Sequence, residues 1–301
     1  MSSPKKNQVV DIMAAFTNEP PFLDFIWPGF LVGTVGAIVA PGAAGKSFWA
    51  LEAAMSVSCD LNQDDRADLG GVRPNYAGKV LYLAAEDPHD VLVGRVHYTG
   101  QHLNQRQRAS IAENLVLQPI MGKRLDIMND AHFERVQESG KDCRLIVFDT
   151  LSRIHHLDEN SNGEMSQLIS QLERLAATTG SAVLYLHHIS KGSAREGRTD
   201  QQAGRGASSL IDNARWCGYV SKMTDDESSL WTRNRQPIMP SDSWKYVRFG
   251  VSKINYAIAE NDVWLERVNG GVLKVVELEL NGGANVTNKK VSGRGGKRNE
   301  L

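Results

Sequence analysis

Apolar runs of strand length alternate with stretches of helical period through the first two-thirds of the chain. Residues 33–40 read as a buried strand, followed by a loop and a helix over about 46–58. Four more short apolar runs, at 80–84, 114–119, 144–148 and 181–186, predict further strands. Pro88 opens a predicted helix carrying Val91, Leu92, Arg95 and Val96. Met165, Leu168, Ile169, Leu172, Leu175 and Ala176 recur at helical spacing and give one apolar face. This rhythm predicts an α/β fold with a mostly parallel sheet, helices on both faces and right-handed crossovers. Past residue 213 the pattern changes. Runs at 215–221, 244–254, 263–268 and 272–280 predict strands joined by short turns, an antiparallel extension of the same sheet. Most of the aromatics there (Trp216, Tyr219, Trp244, Tyr246, Phe249, Tyr256 and Trp264) read as sheet core.

Composition narrows the class. The chain has 301 residues, of which 41% are hydrophobic, enough for a substantial core. Cys59, Cys143 and Cys217 are far apart and form no CxxC pair, which argues against a disulfide scaffold and for a cytoplasmic setting. Residues 25–45 carry no charge, but Pro28, Pro41 and five glycines make a strand and a glycine-rich loop the better reading than a membrane span. Three regions are expected: an N-terminal arm over 1–30, one domain over 31–280, and a disordered basic tail over 281–301. The net charge of −1 hides that tail, where Lys289, Lys290, Arg294, Lys297 and Arg298 face only Glu300. A broadly cationic protein that coats duplex DNA is excluded, but local basic loops are not.

Chemistry enters at Ala40-Pro41-Gly42-Ala43-Ala44-Gly45-Lys46-Ser47, which fits the phosphate-binding loop pattern except for alanine in place of the first glycine. Such a loop turns backbone N–H groups toward phosphate oxygens at a helix N-terminus. Lys46 is placed for the β- and γ-phosphates, and the Ser47 hydroxyl for Mg²⁺, making ATP and Mg²⁺ the expected cofactors. Asp149 ends the run at 144–148, at the carboxyl edge where α/β sheets bind nucleotides, and is the expected second acid on the metal side. Glu86 follows another strand end and is the candidate base that polarises water; Asp87, beside Pro88, reads as a helix N-cap. His187-His188 ends the last parallel strand, where a side chain can sense the γ-phosphate. The loops over 152–163 and 190–206 are long and polar. The second carries Lys191, Arg195, Arg198 and Arg205 against Glu196 and Asp200, which suits contact with a phosphate backbone rather than base stacking.

Assembled, these segments resemble the RecA-like ring ATPases, and in particular the RepA-type plasmid-encoded hexameric replicative DNA helicases. The resemblance spans roughly 10–275 and rests on seven segments in order. They are Gly33-Thr-Val-Gly leading to the phosphate loop, Tyr82-Leu-Ala-Ala-Glu-Asp-Pro88, Val147-Phe-Asp-Thr-Leu151, Leu186-His-His-Ile-Ser-Lys-Gly192, Arg205-Gly-Ala-Ser-Ser209, Asp212-Asn-Ala-Arg-Trp216 and Phe249-Gly-Val-Ser-Lys-Ile-Asn-Tyr256. It implies that residues Pro41 through Phe48 hold nucleotide, with Ser47 and Asp149 on the metal and Glu86 as base. It also implies His187 as sensor, Arg215 as an arginine finger reaching a neighbour's site, Lys253 as a second trans-acting cation, and Arg95 against the adenine. The implied activity is ATP-driven unwinding of duplex DNA by a homohexamer that encircles single-stranded DNA. Forked DNA and other replication proteins are the expected partners, and no membrane is. A recombinase or mediator of the same fold, and an ATP-dependent regulatory switch acting on proteins, are the alternatives.

Overall fold

The computed structural model describes residues 9–189, 208–256 and 262–281, with the side chains of 208 and 209 left aside. A short helix α1 (Ile12–Thr17), capped by the Asp11 side chain, precedes β1 (Val35–Ala40) and α2 (Lys46–Ser58). Then follow β2 (Val80–Ala84), α3 (His89–Gly100), α4 (Gln105–Asn114), β3 (Leu115–Pro119), α5 (Asp130–Ser139) and β4 (Leu145–Asp149). The long helix α6 (Asn162–Thr179), β5 (Ala182–His188), α7 (Ser208–Asn213) and β6 (Trp216–Lys222) complete the alternating part. The remainder is α8 (Asp225–Ser228), β7 (Trp231–Arg233), β8 (Gln236–Pro237), β9 (Tyr246–Ile254), β10 (Val263–Arg267), β11 (Leu273–Val275) and β12 (Glu279–Leu280).

Nine strands form one sheet in the order β11-β10-β9-β6-β1-β5-β4-β2-β3. The six from β6 to β3 are parallel, and β9, β10 and β11 extend the sheet antiparallel. The expected architecture therefore holds, with three differences. The strand at 216–222 belongs to the parallel set through its pairing with β1, and the antiparallel extension begins only on its other side, at β9. Glu279–Leu280 leaves the main sheet and pairs with β7 in a small second sheet, order β12-β7-β8. Helices α4 and α5 carry too few apolar positions to show a clear period; Ile111 is the buried residue of α4, and Phe133 and Val136 those of α5.

Strand alternation divides the core into two layers. Ile38, Ala40, Leu184 and Leu186 face α2, together with Trp49, Met55 and Trp216. Val35, Ala37, Val39, Val183 and Tyr185 face the α6 side, where Leu168, Leu172 and Leu175 fill the gap. Ser161 caps α6 by accepting from the Glu164 N–H at 3.3 Å. The uncharged stretch at 25–45 is β1 and its flanking turns, and among the described residues no helix is long and apolar enough to cross a membrane. Ile26, Trp27 and Phe30 lie in the α2-side core, whereas Ile12, Met13 and Phe16 of α1 are exposed. Because β1, β2, β4 and β5 are parallel and adjacent, their carboxyl ends bring Ala40, Ala84, Asp149 and His188 to a common edge.

Candidate nucleotide site

The loop between β1 and α2 turns tightly at that edge. Gly45 takes φ 109°, a conformation closed to most side chains, and Ala43 sits at φ 59°. Helix α2 begins at Lys46, so its first N–H groups have no intrahelical acceptor and face the loop as an anion-binding end.

Lys46 is almost fully buried. Its Nζ lies 2.8 Å from His188 Nε2 and 3.8 Å from a Glu86 carboxylate oxygen. Burial lowers its pKa, while Asp149, Glu86 and Asp87 pull the other way and keep a cation favourable. The Glu86 carboxylate is held below its ordinary range chiefly by the His188 ring, 3.5 Å away, against its partial burial. It is thus an ionised carboxylate beside the lysine that a γ-phosphate would approach. Asp149 is 2% exposed and accepts from the Ser47 hydroxyl at 3.0 Å and from the Tyr82 hydroxyl at 2.8 Å. Burial raises its pKa, and those two hydrogen bonds with Lys46 oppose the rise. Ser47 Oγ beside a carboxylate oxygen is a hard-oxygen donor pair. It fits Mg²⁺, which takes one or two protein oxygens and completes its shell with phosphate and water.

On the other side of the loop, the Arg95 guanidinium stacks over the Phe48 ring at 4.9 Å. Asp87 holds it there with a 2.7 Å ion pair. Asp87 is therefore not the cap of α3; Pro88 occupies that position without a side-chain bond. The platform is flat, cationic and partly exposed, which suits a purine face.

His187 and His188 separate. The period of two along β5 turns His188 to the α2 face, against Lys46 and Glu86, and buries His187 on the opposite face at 6% exposure. Burial, then His188 and Lys46, push the His187 pKa down to about 4, so this ring is neutral at pH 7. Of the two, His188 and not the expected His187 touches Lys46 and Glu86. The parity of the strand carries the signal, since Leu184 and Leu186 share the face of the P-loop helix. Tyr82 escapes a reading of the sequence as a site residue because an apolar strand hides its hydroxyl.

Arg215 and Lys253 lie elsewhere. The Arg215 N–H donates to Val35 O at the amino end of β1, so this residue is the length of that strand, about 17–20 Å, from the phosphate loop. Lys253, opposite Cys217 on the neighbouring strand, donates to Asp212 O at 2.5 Å at the end of α7. Lys191, Arg195, Arg198 and Arg205 lie outside the described residues. The loop at 152–163 is anchored by buried Ile154 and His155 and carries more acid than base.

Comparison with known proteins agrees with this architecture. The family described as "AAA domain" matches residues 3–194. The solved ATPase domain of another protein superposes with a TM-score of 0.54 at 15% identity, over 81% of this chain and 85% of that one. "The Structure Of A DnaB-Like Replicative Helicase And Its Interactions With Primase" gives 0.56 at 14% identity, over 89% of this chain. The matched part spans 64% of that helicase chain. "Crystal structure of the RadB recombinase" gives 0.49 at 14% identity, over 84% of this chain and 93% of that one. The fold is RecA-like: a mostly parallel central sheet with antiparallel strands added.

Proposed function

The chain belongs to the AAA-domain family, and on that premise we propose that it is an ATP-driven replicative DNA helicase of the RepA type, working as a homohexameric ring on single-stranded DNA. In this reading Pro41 through Phe48 cradle the phosphates and Ser47 and Asp149 hold Mg²⁺. The metal neutralises charge on the transferring phosphoryl group. Glu86 orients and deprotonates the attacking water, with His188 first and Lys46 after it keeping its carboxylate ionised. His188, touching both Lys46 and Glu86, replaces His187 as the group that reads the γ-phosphate. Arg95 and Phe48 take the adenine.

One observation carries the ring. Arg215 and Lys253 stand at the amino edge of the sheet, a strand's length from their own phosphate loop, so either cation completes a site only on another subunit. Cations supplied across an interface tie turnover to assembly, and a head-to-tail interface closes into a ring where its rotation closes, which is the arrangement proposed here. DNA contact is assigned to the basic loop carrying Lys191, Arg195, Arg198 and Arg205, repeated once per subunit around the channel. The arm over 1–30 exposes the apolar side chains of α1 but joins the ATPase domain over 31–280 through Ile26, Trp27 and Phe30 in its core, and the basic tail over 281–301 follows that domain.

The test is strand displacement on a forked duplex, with and without ATP. Wild type separates the strands only with ATP, and Arg215→Ala binds nucleotide normally but does not unwind. ATP turnover that ignores single-stranded DNA, with no strand separation at any protein concentration, would contradict the helicase reading and favour a regulatory switch.

A further inference from the structure

The antiparallel extension returns to the phosphate loop from the side opposite Glu86. Strand β10 ends in Arg267, whose guanidinium donates to the Ala44 carbonyl inside the loop. The same guanidinium stands where a side chain on Gly45 would project, 2.9 Å from an added Cβ. The turn that follows lies against the nucleoside platform, with Gly271 closed on the Phe48 ring and Gly270 on Tyr98 of α3. Beyond it, Leu273 N–H donates to the buried Glu52 carboxyl oxygen of α2 at 2.8 Å. The hairpin is thus fastened to the phosphate-loop helix on both sides of the turn.

Arg267 has a feature that a structural fastener does not need. It is half-buried, and no carboxylate among the described residues faces it. Its one acceptor among them is the Ala44 carbonyl, although a guanidinium offers five donors. Arg95 and Arg144, comparably sheltered, have acids in Asp87 and Asp24. Arg66, which has no acid among the described residues, spends its donors on three backbone carbonyls. A desolvated cation with no counter-charge is costly unless an anion visits it, and the adjacent nest is the anion site of the fold.

We propose that Arg267 is a further nucleotide-binding residue, a second cation acting in cis with Lys46, which takes an inner phosphate oxygen of the bound nucleotide. This rests on the nucleotide site proposed above. Arg267 approaches along the Phe48–Tyr98 side, whereas Glu86 and His188 mark the γ-phosphate side. Its contribution therefore falls equally on ATP and ADP.

The experiment is calorimetric titration of the full chain with ATP and with ADP, in Mg²⁺ and without DNA. The proteins are wild type, Arg267→Gln, Arg267→Lys and Lys46→Ala. Arg267→Gln keeps a donor for the Ala44 carbonyl but loses the charge. It weakens both nucleotides by roughly tenfold, with the melting temperature of the nucleotide-free protein unchanged, and its affinity varies less with salt than the wild-type affinity does. Arg267→Lys recovers part of the loss. Wild-type affinity in Arg267→Gln, or a loss confined to ATP, overturns the proposal. If Arg267→Gln melts early, Arg267→Lys decides: affinity no better than in Arg267→Gln, at a wild-type melting temperature, also overturns it. Lys46→Ala keeps the two proposals distinguishable. Normal ATP and ADP binding by that variant means that the nucleotide site itself has been misassigned, whatever Arg267 does.

Discussion

The two edges of the parallel sheet are built differently. At the carboxyl edge, Lys46, Ser47, Tyr82, Glu86, Asp149 and His188 touch one another in a half-buried network in which each charge meets an opposite charge or a hydrogen-bond donor. At the amino edge, among the described residues, Lys253 meets only backbone carbonyls and Arg215 is exposed with no ion pair. A network balanced in this way is held in place by its own contacts before any nucleotide arrives. Neither cation has a counter-charge among the described residues, which leaves both free to serve another surface. In the proposed ring these cations would be the second half of the site, supplied by the amino edge of one subunit to the carboxyl edge of the next.

The largest effect that sharpens this contrast comes from the carboxyl edge. Lys46→Ala lowers the ATP turnover rate roughly 10³-fold, measured by phosphate release with single-stranded DNA present. Next come the two histidines. His188→Asn costs on the order of tenfold or more in kcat, and His187→Asn leaves kcat within a few-fold while lowering the melting temperature. Equal losses in kcat would contradict the assignment of the two faces of β5. Tyr82→Phe removes one of the two donors on Asp149 and lowers kcat several-fold, with KM for ATP nearly unchanged. The smallest effect is on stability. Burial pushes the Glu52 pKa up to about 8, against the hydrogen bond from Leu273. The unfolded chain releases that proton near pH 4.5, so the folded state loses stability as pH rises from there to about 8. Glu52→Gln keeps the acceptor for Leu273 and cannot ionise. It melts a few degrees above wild type at about pH 8, and at about pH 5 the two melt together.

Most of this is legible in the sequence wherever local pattern and local chemistry coincide. The strand–loop–helix around Lys46 follows from a buried apolar run, glycines at the turn and an apolar helix, and Asp149 follows from its place after residues 144–148. What escapes depends on contacts between distant segments. Asp87 has the sequence context of a helix cap, yet Arg95, two turns along α3, captures its carboxylate. Arg267 lies far along the chain from Lys46 in an unexceptional strand, and only the return of the antiparallel extension brings it to the phosphate loop. The two histidines are distinguishable by parity, since Leu184 and Leu186 already mark the face that looks toward α2.

In the proposed ring, the amino edge of one subunit completes the carboxyl edge of the next, and mixing two inactive variants tests this directly. Lys46→Ala keeps Arg215 and Lys253 but loses its own phosphate-loop lysine, and Arg215→Ala keeps the loop but loses the finger. The measurement is DNA-stimulated ATP turnover of an equimolar mixture, annealed so that subunits exchange. Interfaces that join the intact loop of one variant to the intact Arg215 of the other restore activity well above that of either variant alone, and the recovery disappears on dilution below the assembly concentration. A mixture no more active than its two components, in rings shown by light scattering to contain both, would contradict this arrangement.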